Sequence, residues 1–115
     1  MPFTDGMVAA VPTTKKEEYL SHARKMAAVF KEHGALKISE NWGEDVPDGK
    51  LTDFKRAVQA TPDETVVLGW ITWADKAARD AGWEKIMQDP RMKDTKMPFD
   101  GKRMIYAGFA NLMEM

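Results

Sequence analysis

Apolar positions recur every second residue in several short stretches and every three to four residues in two longer ones, which predicts an α+β chain. Thr4–Val11 reads as a strand: Met7, Ala9 and Val11 share a face with Phe3, while Val8 and Ala10 share the other. From about Lys15 to His33, Tyr19, Ala23, Met26, Ala27 and Phe30 form one helical stripe. Thr14 with Glu17 makes a capping-box pattern at its start, and Gly34 a left-handed stop. Ala35–Trp42 alternates again, with Leu36, Ile38 and Trp42 opposed to Lys37, Ser39 and Asn41. Gly43–Gly49 is an acidic, turn-rich loop. Phe54, Arg56 and Val58 alternate, so Phe54–Ala60 reads as a short strand, and Thr61–Glu64 as a turn.

Thr65–Trp73 carries Val66, Leu68 and Trp70 on one face and Val67, Ile71 and Trp73 on the other, the pattern of a strand covered on both sides. Asp75 can cap a second helix reaching Gln88, with Ala78, Trp83, Ile86 and Met87 inward, and Asp89-Pro90 ends it. Arg91–Gly101 reads as an irregular connection. In a last strand, Arg103–Asn111, Ile105, Ala107 and Phe109 oppose Met104, Tyr106 and Ala110. The order β-α-β-(β)-β-α-β fits a split βαβ, ferredoxin-like sandwich in which both helices cover one face of an antiparallel sheet. One such domain accounts for residues 1–115. No third helix exists to cover the apolar outer face, so a homodimer packed sheet to sheet is expected, with Trp and Val side chains of the central strand inside.

Charge narrows the partners. Seventeen Lys and Arg against 18 Asp and Glu leave a net charge of −1, which argues against a nucleic-acid partner. There is no cysteine, and so no disulfide, thiolate metal site or cysteine nucleophile. No apolar run approaches the ~20 residues that span a bilayer, so no membrane partner is expected. The opening MPFTDGMV lacks the basic and apolar regions of a signal peptide, and a cytoplasmic location follows as the expectation.

Three stretches, Glu40-Asn-Trp-Gly-Glu-Asp-Val-Pro-Asp-Gly49, Asp63-Glu-Thr-Val-Val67 and Met97-Pro-Phe-Asp-Gly-Lys-Arg-Met-Ile-Tyr106, resemble the YbaA-like family (domain of unknown function 1428). The resemblance covers nearly the whole chain and implies a dimeric α/β barrel built from two ferredoxin-like subunits. Its superfamily includes antibiotic-biosynthesis monooxygenases, haem-degrading enzymes, dye-decolourising peroxidases and small-molecule-binding stress proteins. Haem-degrading relatives use a histidine on the second helix; here that helix has none, so no haem or other cofactor is expected. Cofactor-free monooxygenase relatives use Asn, Trp and Arg, for which Asn41, Trp70 and Arg56 are matches by type only.

Glu40 is the candidate catalytic residue, because alternation puts it on the apolar face with Ile38 and Trp42. A carboxyl there has a raised pKa and can act as an acid or base near neutral pH. Alternatively it pairs with Arg56 or Arg103. Trp42, Trp70 and Tyr106 are candidate ligand-binding aromatics, and Arg56, Lys102 and Arg103 candidate counter-charges for an anionic group. The aromatics equally suit a core or interface, and Asp100 with its cations equally suits a self-fixed loop. His22 and His33 lie 11 positions apart on one helix, about 16 Å, too far to share a metal; no metal site is expected. The expected role is to bind a small, partly aromatic or anionic ligand in a barrel-side cleft near Glu40, Trp42 and Trp70. The alternatives are a cofactor-independent monooxygenase-like enzyme and a structural dimer without a ligand site.

Overall fold

In the computed structural model, which describes residues 1–115, four strands carry the apolar alternation: β1 (Phe3–Pro12), β2 (Lys37–Trp42), β3 (Glu64–Trp73) and β4 (Ile105–Ala110). They pair antiparallel in the order β2-β3-β1-β4, an open ferredoxin-like sheet rather than a closed barrel. The central pair, β1 and β3, is fixed by ten register partners from Phe3↔Trp73 to Pro12↔Glu64. Their odd-numbered residues therefore face the helices and their even-numbered residues face away.

Helices α1 (Lys16–Glu32) and α3 (Lys76–Gln88) cover the odd face. Phe3, Met26, Val29, Ala35, Trp73 and Ile86 form the core at one end of it, and Ala9, Val11, Tyr19, Ala23 and Val67 the core at the other. α1 ends as its sequence indicates. Gly34 adopts φ 108°, and the Ala35 N–H bonds back to Phe30 O at 3.0 Å, a Schellman closure. Asp75 caps α3 through Ala78 N–H at 2.8 Å. No third long helix covers the even face, but the chain between β2 and β3 does part of that work. Val58, with Val46 and Ala60, packs on Val8, Ala10 and Val66. Beyond that patch Leu68, Trp70, Ile105 and Phe109 stay open, at 37%, 36%, 45% and 57% exposure.

Four local expectations are corrected. Phe54–Ala60 is not a strand: Phe54–Ala57 is one helical turn, α2. Asp53 caps it through Arg56 N–H at 2.7 Å, and Gln59 at φ 51° ends it. The i, i+2, i+4 spacing of Phe54, Arg56 and Val58 suits a turn that delivers Val58 to the core as well as it suits alternation. The Thr14–Glu17 capping box does not form. A 3₁₀ turn at Thr13–Lys15 leads into α1 without a side-chain cap, and Thr13 is tied instead to the start of β3 by N–H to Asp63 O at 2.9 Å. Met87 is 64% exposed rather than inward, since Ile86 takes the buried position. The segment after α3 contains one more turn, α4 (Pro90–Lys93), capped by Asp89.

Candidate functional site

One register row crosses all four strands on the helix side: Glu40 of β2 faces Gly69, Gly69 faces Met7, and Met7 faces Tyr106. Glycine in a central strand weakens it and marks a close approach. Here a Cβ on Gly69 would stand 2.9 Å from Glu40 Oε1 and 3.2 Å from its Cδ, so the missing methyl is what lets the carboxylate lie across β3. Tyr19, 5% exposed on α1, donates its O–H to Glu40 Oε1 at 2.6 Å. Aromatic rings enclose that phenol. Trp42 lies 6.4 Å and Phe99 5.8 Å from it, centroid to centroid, and His22 meets Phe99 edge-on at 6.5 Å. Lys16 lies over the outer face of Trp42, 5.5 Å from the ring centroid.

β2 is an edge strand, so Glu40 as a whole residue counts as exposed; the carboxylate end, against Gly69 and Tyr19, is the desolvated part. That desolvation raises its pKa, and the Tyr19 hydrogen bond offsets the rise only in part. The Tyr19 phenol is pushed far above its usual value by burial and by the adjoining carboxylate. The shared proton therefore stays on tyrosine, and Glu40 is the group of this pair that titrates.

The other enclosed carboxylates are treated differently. Asp5 accepts from Trp73 Nε1 at 2.9 Å, Trp83 Nε1 at 2.8 Å, and Arg79 Nε and Nη2 at 3.0 and 2.8 Å. Glu64 takes both arms of Arg103 at 2.7 Å, which with Thr61 N–H holds its carboxyl down at about 2. Asp53 pairs with Arg56 at 3.2 Å. Asp89 meets Arg91 at 2.8 Å and His33 at 3.1 Å, and is held far below the usual carboxylate range. Arg91 also pairs with Glu32, so the trio Glu32, His33 and Asp89, the one set spaced for a metal, already encloses a cation of the protein's own. Glu40 alone among enclosed carboxylates has no cation within salt-bridge distance and a single neutral partner.

The structure does not gather the expected site residues in one cleft. Glu40 and Trp42 lie together on the helix side, and Tyr106, 76% exposed, ends their row. Trp70 lies on the opposite, open face, because Glu40 pairs with Gly69 and the next residue of β3 points away; the expected barrel-side cleft of Glu40, Trp42 and Trp70 is thereby corrected. Arg56 clasps its own loop, donating to Gly49 O at 2.8 Å. Arg103 is committed to Glu64, to Asp100 at 3.0 Å and to Gln59 O at 2.8 Å. Lys102 is exposed in the 3₁₀ turn Gly101–Arg103. Neither arginine is paired with Glu40. The reading of the sequence had missed Tyr19 as a polar partner, and Asp5 with Arg79 and Trp83. Asp5 did carry a signal: an acid between Phe3 and Met7 on the core face of a strand.

An antiparallel sheet in this order, backed by two helices on one face, defines the ferredoxin-like class of α+β proteins. A dimeric ferredoxin-like protein from an uncultured marine organism superposes with TM-score 0.63 at 16% identity, covering 99% of this chain and 98% of that one. SnoaB, a cofactor-independent oxygenase from Streptomyces nogalater, superposes with TM-score 0.57 at 11% identity, covering 99% and 96%. Within that class the sequence is specific. The family model "Protein of unknown function (DUF1428)" matches residues 2–101. The uncharacterized protein YbaA of Escherichia coli K12 is 53% identical over 116 residues, 99% of each chain, and YbaA of Shigella flexneri is equally similar. The chain belongs to the DUF1428 family. None of its helices is long and apolar enough to cross a membrane.

Proposed function

We propose that this protein is a homodimer that binds a small, neutral, hydrogen-bonding aromatic molecule along the row from Glu40 to Tyr106. The observation that carries the reading is Glu40: an enclosed carboxyl, held by one hydroxyl, with no cation to neutralise it. Such a group costs stability unless it serves a ligand. A phenolic O–H or another neutral donor satisfies it, whereas an anion would repel it. The row spans three inter-strand spacings, about 14 Å, the length of two or three fused rings. The Met7 thioether suits an aromatic edge, and the exposed Tyr106 ring closes the far end. Arg56, Lys102 and Arg103 take no part. The open even face carries the homodimer, since an apolar surface of that kind seldom stays wet.

A second reading is supported by the raised pKa of Glu40: the carboxylate takes the proton of a bound naphthol, and one molecule of oxygen oxidises the naphtholate to the 1,4-quinone, one oxygen atom entering the ring and the other leaving as water. Oxygen uptake in the presence of 1-naphthol separates this reading from simple binding.

The test is a thermal-shift series with 1-naphthol, juglone and benzoate on the parent, Glu40→Gln and Tyr106→Ala. The neutral hydroxyaromatics should raise the Tm by several degrees at roughly a hundredfold excess over Kd. Benzoate should not, and both variants should lose most of the response. A benzoate response equal to that of naphthol, or a Glu40→Gln response equal to the parent's, would overturn the assignment.

A further inference from the structure

The segment after β4 is largely apolar and mostly exposed. Leu112, Met113 and Met115 are 94%, 74% and 107% exposed, with Glu114 the one charge among them. Asn111 is the last residue anchored to the sheet, its N–H donating to Pro2 O at 3.0 Å. The segment leaves from the strand that carries Phe109 and Ile105 on the open face, and that strand is an outer edge of the sheet. Beside it runs an apolar groove of about 270 Å³ floored by Gly6 and walled by Val8, Leu68, Ile105 and Phe109.

We propose that Leu112–Met115 is an exchanged arm: in a dimer formed through the open face, the arm of each copy lies against the other copy and seats an apolar side chain in its groove. This rests on the homodimer reading above and adds the segment that completes the interface. Area is the first argument. At roughly 200 Å² for a large side chain, Leu68, Trp70, Ile105 and Phe109 offer about 350 Å² of open apolar surface at the exposures given above. A standard interface takes ~800 Å² per partner, a little over half of it apolar, so the sheet face alone falls short. The arm adds about 550 Å² on the same scale, which brings the apolar total past that need. Reach is the second. Packed sheets stand ~10 Å apart, and four extended residues cover about 13 Å, enough to cross from one sheet to the other. Within a single chain the arm has no apolar surface to meet without folding back on its own strand. A second copy presents one directly opposite, and two-fold symmetry lets both arms do the same.

Sedimentation velocity across a dilution series tests this, on the parent, on Leu112→Asp combined with Met113→Asp, and on Met87→Asp as a control on the outer surface of α3. The parent should be a dimer at micromolar concentration. The arm variant should have a dimer Kd raised ~100-fold, from two apolar side chains that can no longer be buried. Its circular dichroism should match the parent's, and Met87→Asp should dimerise as the parent does. A monomeric parent overturns the homodimer reading and the arm with it. A dimeric parent whose Kd is unchanged in the arm variant overturns the arm alone. An arm variant that loses its fold also overturns it, because the segment would then belong to its own subunit's core.

Discussion

Replacing Gly69 with alanine sets a methyl group 2.9 Å from Glu40 Oε1, where ordinary contact begins at 3.4 Å. The nearest atoms all belong to the end of a flexible side chain, so the backbone stays and the carboxylate withdraws by about 0.5 Å. The Tyr19 hydrogen bond, 2.6 Å in the structure, then stretches to about 3.1 Å, past the usual limit for O–H···O. Losing a hydrogen bond to a charged group costs ~1.5–3 kcal/mol. Alanine in place of glycine within a strand returns ~0.5–1 kcal/mol. The balance is a loss, so Gly69→Ala should lower the unfolding free energy by about 0.5–2.5 kcal/mol in a urea titration. The same variant should lose the thermal response to 1-naphthol. A loss above ~4 kcal/mol would mean that Gly69 serves packing against something rigid. A full naphthol response in a stable variant would mean that the position of Glu40 is irrelevant to binding.

Asp5→Ala strands two indole N–H groups and a guanidinium, and should cost about 3–5 kcal/mol in the same titration; a cost below ~1 kcal/mol would refute the network's role. Glu64, held down at about 2 by Arg103, stabilises the fold above the ordinary carboxyl range and loses that contribution as pH falls from about 4.5 toward 2. Glu64→Gln should therefore flatten the parent's acid-side loss of Tm over that window, and an unchanged slope would contradict it. Glu40 has the opposite sign. With its pKa raised, the fold is favoured at low pH, and that contribution is lost as pH rises through the folded-state value. Glu40→Gln should thus raise the Tm at neutral pH and leave it unchanged near pH 3, and a lowered Tm at neutral pH would contradict the claim that Glu40 is uncompensated.

Period and punctuation carried the strands, both long helices, the Gly34 stop and the Asp75 cap, because those depend on residues close in the chain. The turn at α2 was misread since three residues spaced by two fit either period, and only contact between Val58 and Val66 decides. The oddity of Glu40 was visible as an acid on an apolar face. Its partner was not, because Tyr19 reaches it from another element, 21 residues away. Trp42 and Trp70 looked like neighbours because the sequence does not state the β2–β3 register; Glu40↔Gly69 puts them on opposite faces. Arg103 looked like a free counter-charge until Glu64, 39 residues distant, claimed it.

The claim on which the rest depends is that Glu40 is a desolvated carboxyl with only a tyrosine for company. A ¹³C NMR titration of the Glu40 side-chain carboxyl, in the parent and in Tyr19→Phe, reads this directly. The midpoint should lie above the ordinary glutamate range, and higher still in Tyr19→Phe, since the lost hydrogen bond favoured the charged form. A midpoint at or below the ordinary value, unmoved by Tyr19→Phe, would mean that solvent or a cation already compensates the charge, and that Glu40 marks no site.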